Sequence, residues 1–170
     1  IPDVDKPIRP QEWLVLRPGL AALPHARAEA AQLAGLFSPA PALVRMGKMA
    51  TRTSVMQSLA GERPAPKVLH FATHALAPGE VRDLGQPAMV MAAEGGDARS
   101  QLLTLDDVMS LRVDADLVLL PACSTAAAAR PGGDAMSGLV RGFLFAGAGA
   151  VMATHWPVED ENSARFVVEA

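Results

Sequence analysis

The sequence predicts an α/β fold built on a mostly parallel sheet with helices on both faces, and three observations predict it. Short β-rich runs alternate with segments of helical spacing along the chain, joined by brief connections, which is the order that makes strands parallel and crossovers helical. Asp116-Leu-Val-Leu-Leu120 is nearly all apolar, as a strand buried on both faces must be. Ala135–Gly147 carries Met136, Leu139, Val140, Phe143 and Leu144 at helical spacing, so one face of this helix needs a sheet to rest on.

Taken in order, residues 1–11 are rich in Pro and charge and read as a linker, with a single domain over residues 12–170. Trp13–Arg17 is a short apolar run stopped by Pro18-Gly19, hence a strand and a turn. Ala26–Phe37 follows Pro24 and reads as an amphipathic helix. Ala42–Met46 predicts a second short strand, and Thr51 and Thr53 are candidate N-caps for a helix through Met56 and Leu59 that stops at Gly61. Lys67–Ala72 is a β-rich run ending at Thr73-His74, after which the chain is polar and Gly-rich until the strand Pro87–Met91. Glu94–Arg99 is a loop. Thr104–Leu111 predicts a short helix started by Thr104 or Asp106. The strand Asp116–Leu120 runs into Pro121-Ala-Cys-Ser-Thr125 and a small-residue loop, and Asp134 is expected to cap the long helix. Gly149–Thr154 is the next strand, and Asp160 opens a final helix whose turns reach the end of the chain, so the domain is expected to continue beyond it.

Composition narrows the function. Half of the 170 residues are hydrophobic and the net charge is −3 with both signs mixed, the profile of an ordered globular chain. Only 4% of residues are aromatic, Tyr is absent, and no basic stripe exists, which argues against nucleic acid as a partner. The longest uncharged apolar stretch, Gly142 to Trp156, is too short for a membrane span and is interrupted by Gly, Thr and His. No leader is visible, and the single Cys forms no internal disulfide, which fits a cytoplasmic setting.

Chemistry in open α/β sheets collects at the carboxyl ends of the strands. His74 and Cys123 stand there, just past two separate strands. From the residues alone they are either two structural side chains or a pair in which the imidazole deprotonates the thiol and later protonates a leaving amine. The backbone N–H groups of Ala75 and Cys123 are candidates for an oxyanion hole. A zinc site from His70, His74, Cys123 and His155 fails on spacing, because residues four apart on a strand are about 13 Å apart. Gly147-Ala-Gly149 precedes a strand instead of opening a helix, so it is not a dinucleotide loop.

Four blocks in order carry a resemblance: Phe71-Ala-Thr-His-Ala75, Leu117-Val-Leu-Leu-Pro-Ala-Cys-Ser-Thr125, Gly138-Leu-Val-Arg-Gly-Phe-Leu-Phe-Ala-Gly-Ala148 and His155-Trp-Pro-Val-Glu-Asp160. From Trp13 to Ala170 the chain resembles the CHAT domain, a caspase-like family commonly attached to tetratricopeptide repeats. The resemblance implies a caspase-like three-layer sandwich with a mostly parallel central sheet, truncated here at its C-terminus. It also implies a cysteine peptidase acting on a protein or peptide substrate through a thioester acyl-enzyme, with no metal or organic cofactor and with upstream tetratricopeptide repeats. The family's catalytic His falls on His74 and its nucleophile on Cys123. Two positions depart from the family pattern: Ala75 stands where Gly is frequent, and Pro121 where Ser is usual. Trp156, Glu159 and Asp160 are substrate-pocket candidates, the two carboxylates favouring a basic residue before the cut, while Asp160 as a plain helix cap is the other reading. Arg130 would be a self-cleavage point for such an enzyme, in a loop that otherwise reads as an ordinary connection. The alternative from another class is a catalytically silent caspase-like scaffold or protein-binding module.

Overall fold

A computed structural model of the chain describes residues 23–40, 42–60, 65–81, 83–95, 98–120 and 133–154. These residues form four α-helices, α1 (Ala26–Leu36), α2 (Arg52–Ala60), α3 (Leu105–Ser110) and α4 (Gly133–Phe145), and six strands. The strands are β1 (Val68–His70), β2 (Ala75–Leu76), β3 (Ala88–Val90), β4 (Leu102–Thr104), β5 (Leu117–Leu120) and β6 (Ala150–Ala153). They sort into two sheets. One is parallel in the order β1-β5-β6, and the other is antiparallel in the order β2-β3-β4. The expected parallel sheet is therefore present with an additional antiparallel sheet beside it.

Strand alternation explains the layering of the parallel sheet. Val118 and Leu120 of β5 point to the side where Leu139 and Phe143 of α4 are packed, all four with 1% exposure or less. Leu117 and Leu119 point the other way, onto Leu33 of α1. Helices thus cover both faces, as the apolar β5 run requires. The antiparallel sheet divides in the same manner. Ala75, Met89 and Leu103, aligned across its three strands, join the α4 core. Leu76, Ala88 and Leu102 face a smaller cluster closed by Val81 and Leu84 from the loop after β2.

Local signals set the element ends. The Thr51 hydroxyl accepts from Ser54 N at 3.1 Å and caps α2, and Thr104 with Asp107 forms a capping box at α3. Helix α4 ends in a Schellman motif: Gly147 N–H bonds Leu144 O and Ala148 N–H bonds Phe143 O. Gly147 sits at φ +106°, and an added Cβ would lie 3.0 Å from Val113 O; only Gly fits there at low cost.

Several expectations are corrected. Ala42–Met46 forms no strand ladder among the described residues and leaves Leu43 73% exposed, because apolar β-formers become a strand only against a hydrogen-bonding neighbour. The polar, Gly-rich stretch after His74 contains β2, and the strand expected at Pro87–Met91 is present as β3 but pairs antiparallel. A strand at Leu102–Thr104 went unread, and the loop Glu94–Arg99 runs into a short 3₁₀ turn, Ala98–Gln101. Asp134 lies inside the first turn of α4, which starts one residue earlier, a position where an acidic residue is equally favoured by the helix dipole. Leu144 is off the buried face of α4, 46% exposed. The linker, the Trp13–Arg17 strand and the helix opened by Asp160 lie outside the described residues.

Candidate active site

The parallel strands β1, β5 and β6 end along one edge, and their carboxyl ends lead toward His74, Cys123 and the Trp156–Asp160 segment respectively. Among these, the described residues include His74 and Ala75; Cys123, Arg130, Trp156, Glu159 and Asp160 lie outside them. Register relates the first two by number. His70 pairs with Leu119, so His74 and Cys123 each come four residues after the same rung.

His74 stands where the chain leaves one sheet for the other. Phe71 N–H makes the last parallel bond, to Leu119 O at 3.0 Å. The chain then turns tightly, Thr73 N–H bonding Phe71 O at 3.0 Å. By His74 it has entered the antiparallel ladder: Val90 N–H donates to His74 O at 2.9 Å, and the Thr73 hydroxyl donates to Val90 O. The side chain of His74 is buried to 9% exposure, with Nδ1 inside the protein. Beneath the turn, Phe71 stacks obliquely on Phe143 of α4, ring centroids 5.5 Å apart.

Antiparallel ladders alternate hydrogen-bonded and non-hydrogen-bonded rungs. Since His74 O takes the Val90 N–H, the Ala75–Met89 rung is of the second kind. The Ala75 N–H is therefore directed to the side of β2 away from β3. Among the described residues β2 is the edge of its sheet, so this donor faces out of it. An oxyanion donor needs that orientation.

His70, four residues before His74, has a different role. Along β1 it shares a face with Val68, toward α1, and its Nε2 meets Glu29 Oε1 at 2.7 Å. The two side chains are 10% and 2% exposed. A buried carboxylate requires such a partner. Sequence reasoning read His70 as structural without finding Glu29; the signal was the i, i+4 spacing of Glu29 and Leu33, both on the buried stripe of α1.

An ion pair joins α2 to α3 beside the antiparallel sheet. Arg52 of α2 forks onto Asp107, Nε to Oδ2 at 2.9 Å and Nη2 to Oδ1 at 2.5 Å, while Thr104 N–H donates to the same carboxylate at 2.9 Å. Burial alone would push the Asp107 carboxyl up, but the Arg52 guanidinium and Thr104 outweigh it and hold the group below its ordinary value. The hydrogen bonds it donates to Asp107 raise Arg52 in turn, against burial that would lower it. Glu94, in the loop after β3, accepts from the Thr53 hydroxyl at 2.6 Å. Ala92 N–H bonds Ala50 O at 2.8 Å. The strand that carries Val90 is thereby tied to the start of α2. No helix among the described residues is long and apolar enough to cross a membrane.

Comparison with known proteins agrees with this architecture. The family model of the CHAT domain matches residues 10–170. Mouse tetratricopeptide repeat protein 28 is 30% identical over 85% of this chain, a stretch that makes up 7% of that relative; the chain thus spans a small part of the relative's length. A match over nearly the whole chain decides its membership: the chain belongs to the CHAT domain family, which is caspase-like.

Proposed function

We propose that this domain is a cysteine endopeptidase in which Cys123 is the nucleophile and His74 its general base and acid. One observation supports the reading: β1 and β5 pair in parallel with His70 opposite Leu119, and in the sequence His74 and Cys123 each follow that rung by four residues, past the carboxyl ends where α/β folds assemble their sites. The His74 carbonyl accepts the Val90 N–H, and the N–H of Ala75 is turned out of the antiparallel sheet, the orientation that suits an oxyanion donor.

In the first half-reaction His74 takes the Cys123 proton and the thiolate attacks the scissile carbonyl carbon. The tetrahedral oxyanion is met by the N–H groups of Ala75 and Cys123. Collapse breaks the C–N bond, and the amine leaves with the proton from His74. Water, deprotonated by His74, then attacks the thioester; the acid product departs and the thiol is restored. Trp156, Glu159 and Asp160 are proposed to form the pocket for the residue before the cut, with the two carboxylates selecting Arg or Lys by charge-assisted hydrogen bonds. The upstream partner proposed for the longer protein is an array of tetratricopeptide repeats, after the mouse relative's name.

The test is hydrolysis of fluorogenic peptides bearing Arg, Lys, Asp or Asn before the bond. Turnover is expected with basic residues, to disappear in Cys123→Ala, and to fall roughly 10²- to 10⁴-fold in His74→Ala, the range of lost acid–base catalysis. Turnover that survives Cys123→Ala would end the proposal.

A further inference from the structure

We infer that Thr73 is a positioning residue: its hydroxyl, with the His74 carbonyl, forms a two-point clamp on the Val90 backbone that sets the direction of the His74 imidazole. The inference rests on the dyad reading above and concerns how that dyad is held.

The need for a clamp follows from the path of the chain. Phe71 is the last residue bonded to β5, and His74 the first bonded to β3. The two intervening residues make the change of sheet, with one tight turn bond, Thr73 N–H to Phe71 O, inside it. A histidine at such a corner, held by its carbonyl alone, can swing about that single bond. Val90 prevents this because both of its polar backbone groups are engaged by consecutive residues. Its N–H goes to His74 O, and its C=O receives the Thr73 Oγ1–H at 2.5 Å. Two bonds from adjacent residues to the N–H and the C=O of one strand residue, whose φ and ψ its place in the ladder fixes, set a rotation as well as a distance. Catalytic groups work only when held within about 0.5 Å and 10–20° of their productive geometry.

Val90 is itself a firm anchor. Its neighbour Met91 bonds Gln101 O of the adjoining 3₁₀ turn at 2.7 Å, and Ala92 bonds Ala50 O. Thr73 does not touch the reacting atoms in this account. It acts through the backbone of the next residue, and the group it needs is a hydroxyl. Serine can supply that group, whereas valine, of the same shape, cannot.

The experiment compares wild type with Thr73→Val, Thr73→Ser and His74→Ala in two assays, with thermal melting to verify folding. The first assay is peptide hydrolysis. The second is the rate of Cys123 alkylation by iodoacetamide against pH, which reads the assistance the imidazole gives to the thiol independently of any substrate. Wild type should alkylate with an apparent pKa below the ordinary thiol value near 8.5, and His74→Ala should lose that shift. Thr73→Val should fall between them. Its kcat should drop roughly 10- to 100-fold with KM unchanged, the scale of a ~1 Å misplacement, and Thr73→Ser should restore both. If Thr73→Val does not fold, Thr73→Ala is measured in its place. A wild-type kcat and alkylation profile in the hydroxyl-free variant, while His74→Ala loses both, overturns the clamp and leaves the dyad standing. An identical alkylation profile in wild type and His74→Ala overturns the dyad, and the clamp with it.

Discussion

Among the described residues the two sheets have three strands each and share one core, yet they are held in different ways. The parallel sheet is gripped from both faces by helices: α4 supplies Leu139 and Phe143 on one side and α1 supplies Leu33 on the other. The antiparallel sheet has the shared core on one face and, on the other, Val81 and Leu84 of a loop. Its remaining support is polar, from the α3 capping box and the Arg52–Asp107 fork. Helix packing holds a sheet through buried area; caps and ion pairs hold it through geometry, at smaller energies. His74 stands at the corner where one mode gives way to the other. Its position therefore depends on the area-driven half being in place and on the polar half being correctly aligned.

This contrast can be broken at its strongest point. Phe143 is fully buried in the core common to both sheets and stacks under the turn before His74. Phe143→Ala should cost about 3–5 kcal/mol, the range for large buried aromatics, and both sheets should melt in one transition by hydrogen exchange. Separate melting would show that the core is not shared. Gly147→Ala tests the parallel side alone. Strain at positive φ and the close Val113 carbonyl should cost about 1–3 kcal/mol, read as a shift in the urea midpoint, with exchange in β6 affected before β3.

The smallest effect belongs to the polar side. Asp107 has a carboxyl held below its ordinary value, so its contribution is complete above the unfolded value of about 3.9 and is lost as pH falls through the depressed folded one. Arg52→Met should lower stability by about 1 kcal/mol near neutral pH, discounted for a guanidinium that is partly solvated. The gap between wild type and variant should close as the solution is acidified below about pH 4. A gap that widens on acidification would remove the ion pair from the account.

The same contrast governs what could be read from the sequence. The helix-packed half was legible because its signals are long. Asp116–Leu120 is an unbroken apolar run, and the α4 segment repeats its apolar residues over several turns. The antiparallel half was legible only in β3, read as the strand Pro87–Met91. β2 is Ala75-Leu76 and β4 is Leu102–Thr104, too short for a period of two to declare itself, and β2 lies beside the Pro78-Gly79 turn signal. Ala42–Met46 shows the converse, a β-rich composition without a ladder among the described residues. At the candidate site, His74 was visible from its place after a strand. The Thr73–Val90 contact was invisible because the two meet across 17 positions of sequence, through the pairing of β3 with the unread strand β2.

The His70–Glu29 contact has a consequence for how the N-terminal helix can change. Leucine against a sheet tolerates sliding by fractions of a turn, since one apolar surface serves much as another. A carboxylate that must find one imidazole, with little water to replace it, does not. The pair acts as an alignment key: α1 seats at one height and one rotation on β1, and a helix borrowed from another protein would seat there only if it brought an acid to the same place. Helix and strand are thus bound to vary together, and a replacement at one position calls for its match at the other.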